Sequence, residues 1–286
     1  MTATKSMRLV MLLTATSILM MCTAPVKSMD TVNPESYKSP YQVQFKFPLA
    51  ELMAPDQVPP RNDKRLEASV PYEEWNSRRV RKEFGKWGPG QRQYPTLENE
   101  NRIPAEWKRE RILAVAVSYI GLSYQHHHIP EWIPPAKSSN RECKKGLDCS
   151  NFSAWVYNYG LGIKPNSAIE KQAEQREIRS DDGLRAVQAE TINNDNGDYD
   201  SLVHKLKTAD LLYIRGRNQD KVTHVIMWVG DCGRAPDGTP LVIDSTGPEH
   251  KDSNGNTIPG GVQLRPFTKN SWYFKCFDHA HRLIHD

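Results

Sequence analysis

Helical segments early in the chain, followed by apolar and β-branched runs, predict an α+β protein in which N-terminal helices pack on an antiparallel sheet. Three observations carry the prediction. Residues 105–120 repeat Trp107, Ile112, Ala116 and Ile120 at near-helical spacing, and Gly121 stops them. Residues 149–159 place Phe152, Trp155, Val156 and Tyr159 on one face, with Asp148 as a good N-cap and Gly160 and Gly162 ending the run. Four later runs (209–215, 223–229, 241–245 and 273–284) are apolar or β-branched and are separated by Gly, Asp, Asn and Pro clusters. With 286 residues, 38% hydrophobic and 25% charged, the chain can bury a core in one large domain or two small ones. The 38 basic and 34 acidic residues give a net charge of +4, spread rather than gathered in runs, which argues against nucleic acid as the main partner.

Residues 1–28 have the order of a secretory signal: Lys5 and Arg8, an apolar stretch from Leu9 to Met21, then small residues around Ala24 and Ser28. The stretch is too short to span a bilayer, and no later segment is apolar enough to do so. Export to the periplasm or cell envelope, or secretion, is the expected location. Leu19-Met20-Met21-Cys22 has the outline of a lipobox, with Met21 where a small residue is usual, so cleavage after Ser28 is preferred to lipidation of Cys22. Of the five cysteines, Cys143, Cys149, Cys232 and Cys276 then remain.

Residues 29–104 are rich in proline and charge without a sustained period, and are expected to form an extension that wraps or leads into the main domain, residues 105–286. Trp75 and Trp87 are expected to dock on it. A loop over 122–147 holds Tyr124 and the triplet His126-His127-His128. Residues 168–206 are expected to mix short helices (AIEKQAEQ, LRAVQAE) with the polar loop NNDNGDYD.

Asp148-Cys149-Ser150 puts a thiol in the first turn of a predicted helix, where unpaired N–H groups and the dipole favour thiolate. A nucleophilic cysteine needs a base, and His224, at the start of THVIMWVG, is the candidate. If the hairpin turn centres near Arg234, His224 lies opposite Asp244, within about 5 Å at Cβ, and Asp244 can hold the imidazole tautomer. A shift of one residue would turn Asp244 to the other face.

GLDCSNFSAWVYNYG, together with ADLLYIRG, THVIMWVG and LVIDSTG, resembles NlpC-type cysteine peptidases, small papain-like enzymes that cut bacterial cell-wall peptides. The resemblance covers about residue 105 to the C-terminus. It implies a papain-like α+β fold, Cys149 as nucleophile, His224 as base, Asp244 in the orienting place where the family more often has histidine, and Tyr124 beside the nucleophile as an oxyanion donor with the Cys149 N–H. Asn151 stands where a glycine is usual, and residues 160–206 are longer than in minimal members. The implied activity is hydrolysis of an amide bond in peptidoglycan stem peptides, next to D-glutamate and a diamino acid, by a monomer without cofactor.

Other readings remain. A Cys143–Cys149 disulfide would consume the nucleophile and leave a cell-wall-binding module, and the catalytic pair could also serve an acyltransferase or an amidase on another substrate. Zinc is not expected, because adjacent histidines on a loop cannot all face one ion. Cys232 and Cys276 are expected to form a disulfide, and His279, His281 and His285 a solvated face.

Overall fold

A proline and an aspartate start the two principal helices. Pro104 precedes α3 (Ala105–Val117) in an extended conformation that cannot continue a helix backwards. Asp148 caps α4 (Cys149–Leu161), its carboxylate accepting from the Asn151 N–H, and Gly162, at φ 66°, closes α4 by donating to the Asn158 carbonyl. The computed structural model describes residues 37–54, 68–71, 74, 77–84, 88–126 and 146–286, all within one unit, Val32–Asp286.

Ahead of α3 lie the short helices α1 (Leu49–Leu52) and α2 (Arg78–Phe84). Tyr41, Leu52, Tyr94 and Leu97 from this proline-rich region are buried in the same core as α3 and α4. Polar bonds fix them there: the Trp107 indole donates to Glu51 at 2.8 Å, Arg111 donates to the carbonyls of Leu52 (2.6 Å) and Gly160 (2.7 Å), and the Tyr94 N–H donates to Asn158 at 2.9 Å. Trp75 and Trp87 lie outside the described residues, as do the signal-like segment, Cys22, His127, His128 and Cys143.

After α4 come α5 (Ile169–Glu174), a hairpin of β1 (Glu177–Arg179) and β2 (Ala186–Gln188), β3 (Glu190–Ile192), α6 (Tyr199–Lys205), β4 (Leu211–Ile214), β5 (His224–Trp228) and β6 (Leu241–Thr246). A small ladder of β7 (His250–Lys251) and β8 (Thr257–Ile258), then β9 (Gly261–Pro266), α7 (Trp272–Lys275) and β10 (Phe277–Arg282) complete the chain. The main sheet is antiparallel with order β3-β10-β4-β5-β6-β9. Every residue of β4, β5 and β6 is buried. Val225, Met227 and Ile243 share a core with α3 and α4, while Ile226, Trp228 and Val242 share another with Leu202 of α6 and Tyr273 of α7. Burial on both faces explains why these strands read as continuous apolar runs. Among the described residues no helix is long and apolar enough to cross a membrane.

Four expectations are corrected. LRAVQAE contributes strand residues to β2 and β3 rather than a helix, because hairpin pairing and packing override its helix-forming composition. The predicted strand over 273–284 begins with the turn of α7, whose Ser271 cap accepts from the Phe274 N–H, and only then becomes β10. Cys232 and Cys276 are free thiols buried in separate cores, so they do not pair. His279 and His281 are buried on β10, where both rings pack on Tyr213, and only His285 is exposed.

Candidate active site

Cys149 is the first residue of α4, and its free thiol is buried. The first-turn N–H groups of a helix have no partner one turn back, so this end favours negative charge. Asp148 takes the Asn151 N–H at 2.9 Å and the Asn151 side-chain N–H at 2.8 Å on Oδ1, which fixes the start of the helix. The hydroxyl of Ser245, next to Asp244 on β6, donates to the Leu147 carbonyl at 2.6 Å and ties that strand to the residue before the cap.

His224 opens β5, which lies against α4 and between β4 and β6. Its Nε2 donates to Asp244 Oδ2 at 2.8 Å. The register differs from the expectation. Met227 pairs with Ile243 and Trp228 with Val242, so continuing the ladder sets Ile226, not His224, across from Asp244. The difference is two residues, and a shift of two keeps Asp244 on the face of His224 whereas a shift of one would not.

Asp244 is buried and accepts three hydrogen bonds: from His224, from the Tyr273 hydroxyl at 2.9 Å on the same oxygen, and from Arg265 Nε at 2.7 Å on the other. Burial alone would raise its carboxyl, but the Arg265 charge, followed by the hydrogen bond and charge of His224, holds it well below the usual carboxylate range. For His224 burial works towards the neutral ring, and it is outweighed by the negative charge of Cys149 and by hydrogen bonds to Asp244 and Cys149, so the imidazole is raised to about 10. With Nε2 committed to Asp244, Nδ1 is the nitrogen left for the thiol. Tyr273 stacks on the His224 ring at 6.1 Å, and the part-exposed Trp272 flanks it at 5.8 Å.

Tyr124 reaches the cleft on a segment that runs beside β9: the Gly121 N–H donates to the Val262 carbonyl at 3.0 Å and the Val262 N–H to the Leu122 carbonyl at 2.8 Å. This approach requires Gly261, whose φ is +89° and whose Cβ, if present, would lie 2.3 Å from the Leu122 carbonyl oxygen. Burial, then the charges of Cys149 and Asp148, push the Tyr124 phenol up, so it stays a neutral donor at ordinary pH. His126 stacks edge-on against Tyr124 at 5.4 Å and bonds Asp148 Oδ2 through Nδ1 at 2.9 Å. Tyr124, His126, Cys149, Ser150, Glu170 and Lys171 all line one cleft of about 420 Å³. A larger cavity of about 600 Å³, lined by Lys46, Arg109, Lys207 and Asp231, lies at the Trp228 end of β5 and holds none of the candidate residues.

Cys149, His224 and Asp244 thus come together, and Tyr124 shares the cleft of Cys149. NlpC/P60 proteins are among the structural neighbours of this chain. An NlpC/P60 family protein from Bacillus cereus aligns at 17% identity and a TM-score of 0.36, over 66% of this chain and 41% of that one, so the match spans less than half of its length. The NlpC/p60 domain of peptidoglycan hydrolase SagA aligns at 18% identity and a TM-score of 0.32, over 60% of this chain and 96% of that one. No protein-family model and no curated protein matches.

Sequence reasoning missed Arg265 and Tyr273. Arg265 stands across from Val242 on the neighbouring strand and therefore diagonal to Asp244. The alternation in GVQLRP was the available signal for β9, but it reads equally as a surface strand with an outward arginine.

Proposed function

We propose that the protein is an exported cysteine peptidase or amidase that hydrolyses amide bonds in peptidoglycan stem peptides through a thioester on Cys149. The observation that carries the reading is the chain of contacts from the thiol at the start of α4 through the His224 imidazole to the Asp244 carboxylate. The raised His224 keeps the imidazole protonated beside the sulfur, which is the nucleophile in this reading.

In this mechanism the Cys149 thiolate adds to the carbonyl carbon of the scissile amide. The oxyanion forms beside the N–H groups of the first turn of α4, and the neutral Tyr124 hydroxyl is the side-chain donor in the cleft. Imidazolium His224 gives its proton to the leaving amine as the C–N bond breaks, and a thioester remains. His224, now neutral, takes a proton from water as it attacks the thioester. The carboxylic acid product departs and the thiolate–imidazolium pair is restored. Asp244 keeps the ring in one tautomer throughout, as the third member of such a triad does.

The choice of peptidoglycan rests on the Asp-Cys-Ser resemblance and on the signal-like order of residues 1–28. The test is release of soluble fragments from purified cell-wall sacculi by the wild type and by Cys149→Ala. Wild-type release that the variant lacks supports the reading, and equal release from both overturns it.

A further inference from the structure

Asp244 is held on both oxygens, by His224 and Tyr273 on one and by Arg265 on the other. Arg265 is buried, donates through Nε to Asp244 Oδ1 at 2.7 Å, and through Nη2 to the carbonyls of Pro259 (2.9 Å) and Gly261 (3.1 Å). Its Nη1 is buried without a hydrogen-bond partner among the described residues. A buried ion pair is a poor source of stability, and a desolvated guanidinium N–H with no acceptor makes it poorer. Such an arrangement is better explained by what it does to the carboxylate.

Resting on the reading of Cys149, His224 and Asp244 as one site, we infer that Arg265 is a positioning residue: its guanidinium keeps Asp244 ionised and aimed at His224 Nε2, so that the other ring nitrogen faces the thiol. The two backbone carbonyls that grip Nη2 fix the fork, and the fork fixes Oδ1, leaving Oδ2 to His224 and Tyr273. The charges then alternate along the site, from guanidinium to carboxylate to imidazolium to thiolate. Arg265 is also the largest influence opposing the effect of burial on Asp244. The titratable groups facing Asp244 are His224 from β5, Arg265 from β9 and Tyr273 from α7. His250 of β7 stacks on Tyr273 at 5.6 Å, and both it and Tyr37, beside Asp252, feel the Arg265 charge.

The test is the rate of Cys149 alkylation by iodoacetamide in the full chain, followed on the Cys149 peptide by mass spectrometry across a pH series. Arg265→Gln is expected to move the acid limb of the wild-type profile upward by about one pH unit or more, because the largest influence opposing burial at Asp244 is then gone and His224 is left to hold the carboxylate alone against it. Arg265→Lys, which keeps the charge, is expected to leave the limb in place, and this variant carries the test if Arg265→Gln fails to fold. In Asp244→Asn there is no carboxylate to hold, so adding Arg265→Gln is expected to shift the limb no further. An unmoved limb in Arg265→Gln, or a limb displaced as far by Arg265→Lys, overturns the assignment while leaving the triad intact. If wild-type Cys149 itself alkylates only as an ordinary thiol does, near pH ~8.5, the triad reading fails and the inference falls with it.

Discussion

His224 Nε2 and Asp244 Oδ2 are 2.8 Å apart although the strands that carry them do not set the two residues opposite one another. The contact is a diagonal one, secured by Arg265 and Tyr273 rather than by the ladder alone.

That contact makes folding stability depend on pH in a stated direction. Burial favours neutral His224, but Cys149 and Asp244 raise it to about 10 in the folded chain. The unfolded imidazole titrates near pH ~6.5, so the stabilisation is complete below that pH and fades as pH rises towards the folded value. Urea titrations of the wild type and His224→Gln are expected to show a stability gap that narrows from about pH 6.5 to about pH 10. A gap that widens over that interval contradicts the assignment.

Tyr124 is raised by burial and by the charges of Cys149 and Asp148, and it lines the cleft as a hydrogen-bond donor. Tyr124→Phe is expected to lower kcat about a hundredfold with little change in KM, as loss of one oxyanion donor does. Steady-state kinetics on a soluble stem peptide give the answer, and an unchanged kcat removes Tyr124 from the mechanism.

Gly261 touches no reacting group, yet a methyl there would meet the Leu122 carbonyl oxygen at 2.3 Å in a backbone of φ +89°. Gly261→Ala is expected to cost about 2 kcal/mol or more and to lower activity by displacing the segment that brings Tyr124 to the cleft. Thermal unfolding and kinetics on one preparation test both parts; a variant as stable and as active as the wild type argues against this placement of Tyr124.

Asp148 serves α4 as cap and the Asn151 side chain as acceptor. Asp148→Ala is expected to destabilise the protein by about 1 to 2 kcal/mol. Asp148→Asn, which retains a capping oxygen, is expected to lose less. Urea denaturation orders the two variants, and the reverse order rules out the capping role.

Much of this site was legible in the sequence because its signals are local. An aspartate before an apolar helical pattern, a thiol in the first turn and a histidine opening an apolar run each announce themselves within a few residues. A hairpin turn centred near Arg234 lies one residue short of the observed register, and Asp244 still shares the face of His224 because two residues of register preserve the face. Arg265 was not legible in the same way. A charged residue on an alternating strand reads as solvent-facing until the neighbouring strand's register is known, and only the buried diagonal to Asp244 gives it a partner. LRAVQAE is helix-forming in composition, yet tertiary pairing gives it strand structure, and the alternation of β10 does not itself say that the face carrying His279 and His281 is covered.

Hydrolysis through Cys149 is read out by digesting sacculi in heavy-oxygen water with the wild type and with Cys149→Ala. Wild-type products are expected to carry one heavy oxygen in a new carboxyl group of a stem peptide, and the variant is expected to yield none. Labelled products from Cys149→Ala, or wild-type products free of label, would contradict it.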